Sequence, residues 1–126
     1  MSPLAEAPQG GPVAVLQQLR QKSPEVTATV LATAYGFPVH SDAAGGVDVD
    51  SLAATAADLA ARTARMAEDL CQGSLQQILA QADGGYILAS LISDEMTLAV
   101  IAKTEASLGL LLINVRKAAA QLAQQV

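Results

Sequence analysis

The sequence predicts a small α/β domain with the order helix, two strands, helix, three strands, helix. At 126 residues the chain has the length of one domain, and such a domain buries roughly two thirds of the surface that its unfolded chain exposes. Hydrophobic residues make up 52% of the chain and aromatic residues only 2%, so the core is expected to consist of closely packed Ala, Val, Leu and Ile. Segments with helical spacing of apolar residues alternate with short runs typical of strands.

The first twelve residues, 1–12, are predicted to be a flexible tail. They contain three Pro and two adjacent Gly and little that could pack against a core. The domain is therefore predicted to span residues 13–126. Its first helix is expected to begin near Pro12, which suits the first position of a helix, and to end at Ser23-Pro24.

A hairpin of two strands is predicted after this helix. Residues Val26 to Thr33 are rich in β-branched side chains, and a second apolar run begins at Phe37-Pro38-Val39 after the turn residue Gly36. Because Pro38 cannot donate a backbone hydrogen bond, the second strand is expected to be short and to lie at a sheet edge.

The longest helix is predicted from about Asp50 to Cys71. Asp48 or Asp50 can cap its N-terminus, and both place negative charge where the helix dipole favours it. Gly73 is expected to end the helix.

The last part of the chain is predicted to contain three strands and a helix. The strands are Leu75 to Ala80, Tyr86 to Ile92 and Thr97 to Ala102, and the short turns between them suit antiparallel hairpins. A helix from about Glu105 to Gln124 follows, with its apolar residues in one stripe.

A narrow polar strip and a wide apolar surface divide the long helix when it is written as heptads. A helix that lies on one sheet needs only about a third of its circumference apolar, and here nearly everything outside the strip is apolar. Much of the surplus is Ala, which lets helices approach closely, so a second packing partner is predicted. The strip consists of Ser51, Thr55, Asp58, Arg62, Arg65, Asp69 and Gln72.

The strand Leu75 to Ala80 also favours a partner. It begins the meander, and the segment from Ser74 to Gln81 contains neither Pro nor a charge to discourage pairing with another chain. A twofold axis beside it would join two sheets and pack two long helices together, so we predict a homodimer. In the alternative interpretation the alanines only raise helix propensity and another element covers the strand. The predicted dimer interface comprises Ala53, Ala56, Ala57, Ala60, Ala64, Ala67, Leu75, Gln77 and Leu79.

The composition argues against several classes of function. Seven basic residues against twelve acidic ones, a formal charge of −5, leave no basic stripe for nucleic acid or for an anionic membrane surface. The chain has one His, His40, and one Cys, Cys71, which falls in an apolar row and is expected to be a packed thiol. Neither a metal-ligand spacing nor a phosphate loop occurs. No catalytic residue, cofactor or metal is therefore predicted.

A cytoplasmic location is expected. The longest apolar stretches, Tyr86 to Ile92 and Leu108 to Val115, are well short of the roughly 20 residues that span a bilayer. The N-terminus has neither a basic n-region nor an apolar h-region, and a lone Cys71 cannot form an internal disulfide.

The order of elements, together with Gly36-Phe37-Pro38-Val39 in the first hairpin, resembles the Roadblock family of dynein-light-chain-like proteins. Four further segments are similar to the C-terminal half of this family: Gly85 to Leu88, Thr97 to Ala102, Ala106 to Leu110 and Val115 to Ala119. The resemblance implies a five-stranded antiparallel sheet with the long helix on one face and the two terminal helices on the other. It also implies a homodimer formed through the third strand and the long helix.

The resemblance also implies a function. Bacterial and archaeal members are typically regulators of a Ras-like small GTPase, and the gliding-motility regulator of this type activates GTP hydrolysis. Other members are scaffold subunits, as in dynein and the Ragulator complex, without an activating role. The predicted GTPase contact is Asp58, Arg62, Arg65 and Asp69 on the polar strip. Alternatively, the strip is an ordinary solvated face with intrahelical pairs such as Asp58 to Arg62.

Overall fold

The computed structural model describes residues 10–125 and contains the eight predicted elements in the predicted order. They are α1 (Gly11–Lys22), β1 (Val26–Thr33), β2 (Pro38–Ala43), α2 (Val49–Asp69), β3 (Gln77–Ala82), β4 (Gly85–Leu91), β5 (Met96–Lys103) and α3 (Leu108–Ala123). Helix α1 begins inside the predicted 1–12 tail, at Gly11. Residues 1–9 of that tail, and Val126, lie outside the described residues.

The five strands form one antiparallel sheet in the order β2-β1-β5-β4-β3. The prediction that the Pro38 strand lies at an edge is confirmed, and β3 forms the opposite edge. Strand β2 extends to Ala43 and is longer than predicted, and a bulge near its start accommodates one extra residue. Leu31 pairs with His40 and Ala32 with Pro38, so Val39 has no opposite residue.

Helices cover both faces of the sheet, as predicted. On one face α1 and α3 pack over alternate residues of the central strands, with Leu31, Leu88 and Leu98 at the centre of the core. On the other face α2 packs over the intervening residues, such as Val30 and Ala99. The buried apolar residues are Ala, Val and Leu, in keeping with the near absence of aromatic residues.

The capping of α2 was predicted correctly at its start but not at its end. The Asp48 carboxylate accepts a hydrogen bond from the backbone N–H of Ser51 at 3.0 Å. At the C-terminus the chain turns at Cys71, with a φ of 56°, two residues before the predicted stop at Gly73. Here Cys71 N–H donates to the Glu68 carbonyl and Gln72 N–H to the Ala67 carbonyl, which is a Schellman motif. Because it lies in this turn, Cys71 is exposed and is not the packed thiol that we predicted.

Strand β3 begins at Gln77, two residues later than predicted. Leu75, a predicted interface residue, therefore precedes the strand, whereas Gln77 and Leu79 belong to it. No helix among the described residues is long and apolar enough to cross a membrane.

Candidate functional site

The alanines of α2 mostly face the chain's own sheet, which corrects the predicted helix phase. Ala53, Ala56, Ala57 and Ala60 are between 0% and 6% exposed, and two of them belong to the core cluster with Val30, Ala32 and Ala99. Small side chains are needed at these positions because α2 lies close to the sheet. These four residues leave almost no surface for a partner; Ala64 and Ala67 are half-buried.

The surface of α2 that is free for a partner is a row of larger side chains beside the alanines. Leu59, Met66 and Leu70 are 37%, 56% and 62% exposed, and Leu52 lies one helical repeat before Leu59. We call these four residues the apolar row. It borders the side of the sheet that α2 leaves uncovered, because α2 packs mainly on β1, β2 and β5.

A groove of about 430 Å³ separates the apolar row from β3 and β4. Its walls are almost entirely apolar, and Ile87 on its floor is 39% exposed. Leu79, on the other face of β3, is 41% exposed. Both faces of the sheet thus carry uncovered apolar residues near the β3 edge. The groove is lined by Ser51, Leu52, Thr55, Ala56 and Leu59 of α2, by Val47 and Asp48 just before it, and by Ile78, Ala80, Ile87, Ala89 and Ile101 of the sheet.

The two edges of the sheet differ in how they are protected. Edge strand β2 contains Pro38, His40 and Asp42, and the Asp42 carboxylate pairs with Arg20 at 3.2 Å. Edge strand β3, with the sequence QILAQA, contains no Pro and no charge. An uncharged, regular edge is suited to pairing with another strand.

The predicted GTPase contact residues lie together on the side of α2 that faces away from the sheet. Asp58, Arg62, Arg65 and Asp69 are all exposed. The Arg62 Nε donates to both Asp58 carboxylate oxygens, at 3.3 and 3.2 Å, an i to i+4 pair with both side chains largely exposed. Within residues 10–125, Arg65 and Asp69 form no ion pair. Two of the four charged side chains therefore pair with each other within the helix, and the other two are unpaired among the described residues.

Acidic residues at the end of α2 add to the charge of this face. Glu68 and Asp69 lie in the last turn, which contains no basic residue. The helix dipole disfavours negative charge at this end by about 0.3–1 kcal/mol for each carboxylate.

A pair of exposed aromatic residues lies next to α2, in the turn between β1 and β2; Phe37 was predicted to begin the second strand, which starts at Pro38 instead. Tyr35 is 90% and Phe37 is 68% exposed, although the whole chain has only two Tyr and one Phe. This concentration of aromatics in one turn is the sequence signal that could have identified them. Aromatic side chains are the commonest anchors of protein interfaces.

The β1–β2 turn holds these aromatics firmly. Thr33 N–H donates to the Phe37 carbonyl at 2.9 Å and Gly36 N–H to the Thr33 carbonyl at 2.9 Å, and Phe37 N–H donates to the Thr33 hydroxyl. A Cβ on Gly36 would lie 2.9 Å from the Ala54 Cα of α2. Since Ala54 precedes Asp58 by one helical turn, the aromatic tip adjoins the charged strip.

Among residues 10–125, no group of three or more His, Cys, Asp or Glu is arranged so that it could hold a metal ion. His40 belongs to edge strand β2 and Cys71 to the turn after α2. The arrangement is thus one of interaction surfaces: an apolar groove with an open strand edge, and a charged strip with an aromatic tip.

Comparisons with known proteins agree with this architecture. The sequence model of one protein family, the Roadblock/LC7 domain, matches residues 12–102 of this chain. A Roadblock/LC7 domain from Streptomyces avermitilis is 20% identical, with a TM-score of 0.82 over 89% of this chain and 94% of that one. MglB from Myxococcus xanthus is 20% identical, with a TM-score of 0.83 over 90% and 92% of the two chains.

Gliding protein MglB from Thermus thermophilus is also 20% identical, with a TM-score of 0.80 over 94% of this chain and 93% of that one. At this level of identity the likeness concerns the fold. The search of curated proteins returns no significant match.

Proposed function

The chain belongs to the Roadblock/LC7 domain family, and on this premise we propose that it is a non-catalytic homodimeric regulator or adaptor of a Ras-like small GTPase. The proposal rests above all on the exposed strip of Asp58, Arg62, Arg65 and Asp69, which adjoins an aromatic tip on a scaffold of this family. Such a GTPase is the partner that the resemblance to the gliding-motility regulators implies.

The dimer is proposed to form through β3 and the apolar row. Two β3 strands that pair antiparallel about a twofold axis perpendicular to the sheet continue it into ten strands and keep both α2 helices on one face. Each apolar row then approaches the partner's groove, where Leu59 and Met66 have room to bury their side chains. This burial would remove a patch of apolar surface that is unusual on a soluble monomer.

This dimer leaves the strip accessible. Asp58 and Arg65 face away from the sheet, about a third of a turn from the apolar row, so a GTPase can bind while the dimer stays intact. The mixed signs of the strip favour a partner surface of mixed charge, and Tyr35 and Phe37 supply large apolar contacts at its border.

The strip is assigned a binding role. Arg62 forms an exposed i to i+4 pair with the Asp58 carboxylate, and the resemblance implies that activating members reposition the GTPase's own residues, so Arg62 and Arg65 are not assigned as arginine fingers. Any acceleration of GTP hydrolysis would then come from positioning of the GTPase's own residues. The chain itself is expected neither to bind nor to hydrolyse GTP.

The test is capture of a purified Ras-like GTPase from the same organism, loaded with GDP or with a non-hydrolysable GTP analogue. Wild-type protein should bind one of the two forms, and the double variant Arg62→Glu/Arg65→Glu should bind about tenfold or more weakly, because two attractive contacts become repulsive. Arg116→Glu/Lys117→Glu, with the same change of charge on the opposite face, is the matched control and should bind normally.

Two results would count against this proposal. Equal capture by wild type and Arg62→Glu/Arg65→Glu would move the contact away from the strip. Absence of binding in both nucleotide states would overturn the regulator and favour a scaffold subunit. Capture without faster GTP hydrolysis would identify an adaptor.

A further inference from the structure

The two helices on the face of the sheet opposite α2 carry charge of one sign only. Helices α1 and α3 contain Arg20, Lys22, Arg116 and Lys117 and no acidic residue. The chain as a whole has seven basic and twelve acidic residues, so three basic and all twelve acidic residues lie elsewhere. An acidic protein thus carries a basic helical layer on the face opposite α2.

Exposed apolar side chains lie within this basic layer. Leu110 and Ile113 of α3 are 54% and 62% exposed. Leu110, Ile113 and Lys117 share one side of the helix, because they are spaced three and four residues apart. Arg116, three residues after Ile113, lies on the opposite side of Ile113 from Lys117. A cavity of about 140 Å³ opens beside Leu110, between the start of α3 and the α1–β1 turn, where Lys22 forms part of its wall.

Three of the four basic side chains have no acidic partner. Arg20 pairs with Asp42, whereas Lys22, Arg116 and Lys117 form no ion pair within the described part of the chain. Lys22 and Lys117 are neighbours, and the proximity of the Lys117 amino group, with a contribution from desolvation, lowers the pKa of Lys22. Two amino groups are therefore adjacent with no anion between them. Glu25 is the one acidic residue that lines the cavity beside Leu110, and the Glu105 carboxylate accepts a hydrogen bond from the Thr104 hydroxyl before α3 begins.

We propose that the α3 surface formed by Lys22, Leu110, Ile113, Arg116 and Lys117 binds an acidic amphipathic helix of another protein. An apolar stripe on that helix would cover Leu110 and Ile113 and extend into the adjacent cavity, and carboxylates beside the stripe would pair with the three free cations. The surface offers no strand edge, so a helix fits it better than an added strand. This inference does not depend on the proposed GTPase partner, which binds the opposite face.

The probe is a synthetic 16-residue helical peptide, matched to α3 in length, with Leu along one face and Glu on both sides of it. A control peptide has Lys in place of every Glu. Fluorescence anisotropy should detect binding of the Glu peptide to the full-length protein, weakened by salt, and little binding of the Lys peptide. Arg116→Glu/Lys117→Glu should weaken the binding about tenfold. Arg62→Glu/Arg65→Glu should leave it unchanged, and circular dichroism checks that both variants fold.

Several results would overturn the proposal. One is that the wild-type protein does not bind the Glu peptide. Another is that Arg116→Glu/Lys117→Glu binds the Glu peptide as tightly as the wild-type protein does. Binding to phosphatidylserine vesicles instead of the peptide, abolished by Arg116→Glu/Lys117→Glu, would assign the surface to lipid. Salt-sensitive association beyond the dimer, abolished by the same variant, would assign it to a second copy of this chain.

Discussion

At the residue scale, Cys71 occupies a position that favours glycine. Its φ of 56° is the only positive value of a non-glycine residue among residues 10–125, and a side chain in this region costs roughly 1–2 kcal/mol. The two hydrogen bonds of the Schellman motif hold Cys71 in this conformation. The side chain is exposed and contributes no packing to the chain itself.

Cys71→Gly should therefore raise the free energy of unfolding by about 1 kcal/mol, because glycine adopts this φ without steric strain. Urea unfolding at one fixed protein concentration provides the measurement. Cys71→Ala is the matched control and should unfold at nearly the wild-type midpoint, since it also removes the thiol but retains a Cβ. A midpoint for Cys71→Gly at or below that of Cys71→Ala would contradict this interpretation of the turn.

Substitution by Glu is expected to have different effects on folding at two neighbouring residues of α2. Ala60 is 6% exposed and packs within its own chain, whereas Leu59 beside it is 37% exposed. Ala60→Glu should cost about 3–5 kcal/mol of folding free energy, because it buries an unpaired carboxylate. Leu59→Glu should leave the chain folded and act only on association.

Circular dichroism and thermal unfolding of the two variants would distinguish these effects. Ala61 is exposed, so Ala61→Glu serves as the control that changes charge on α2 without burying it. A stable, folded Ala60→Glu protein together with an unfolded Leu59→Glu protein would mean that the phase of α2 is wrong.

At the scale of the elements, the sequence predicted most of the fold because most local signals agree with it. Strand β1 matches its prediction at both ends, from Val26 to Thr33, since its β-branched residues are bounded by clear turn signals. Asp48 correctly predicted the start of α2. The end of α2 was missed because Gly73 suggested a stop that the chain makes at Cys71.

The phase of α2 could not be read from the sequence. Alanine suits both a close helix–sheet contact and a close helix–helix contact, so the rows through Ala53 and Ala60 had two valid interpretations. Only the position of α2 over β1 and β5 decides between them, and that position depends on packing across the whole sheet. The larger residues Leu59 and Met66 were consequently left out of the predicted interface.

Only part of the candidate site could be predicted, because the rest also depends on packing between distant segments. The strip of Asp58, Arg62, Arg65 and Asp69 is a property of one helix, so its spacing could be read along the chain. The aromatic tip at Tyr35 and Phe37 lies beside the strip because Gly36 approaches Ala54 closely. A contact between distant segments leaves no periodic signal in a single sequence.

At the scale of the whole molecule, three surfaces are separated in space. The β3 edge and groove are apolar, the outward face of α2 carries charges of both signs, and the α1–α3 layer is basic. Our central claim is that the apolar row and β3 join two copies and leave the other two surfaces free.

Sedimentation equilibrium at low micromolar concentration tests this claim most directly. The wild-type protein should have twice the chain mass of 12.8 kDa, and Ala61→Glu should match it. Leu59→Glu should sediment as a folded monomer, because association would bury its carboxylate without a partner. A monomeric wild type, or a Leu59→Glu variant that remains dimeric, would contradict the account.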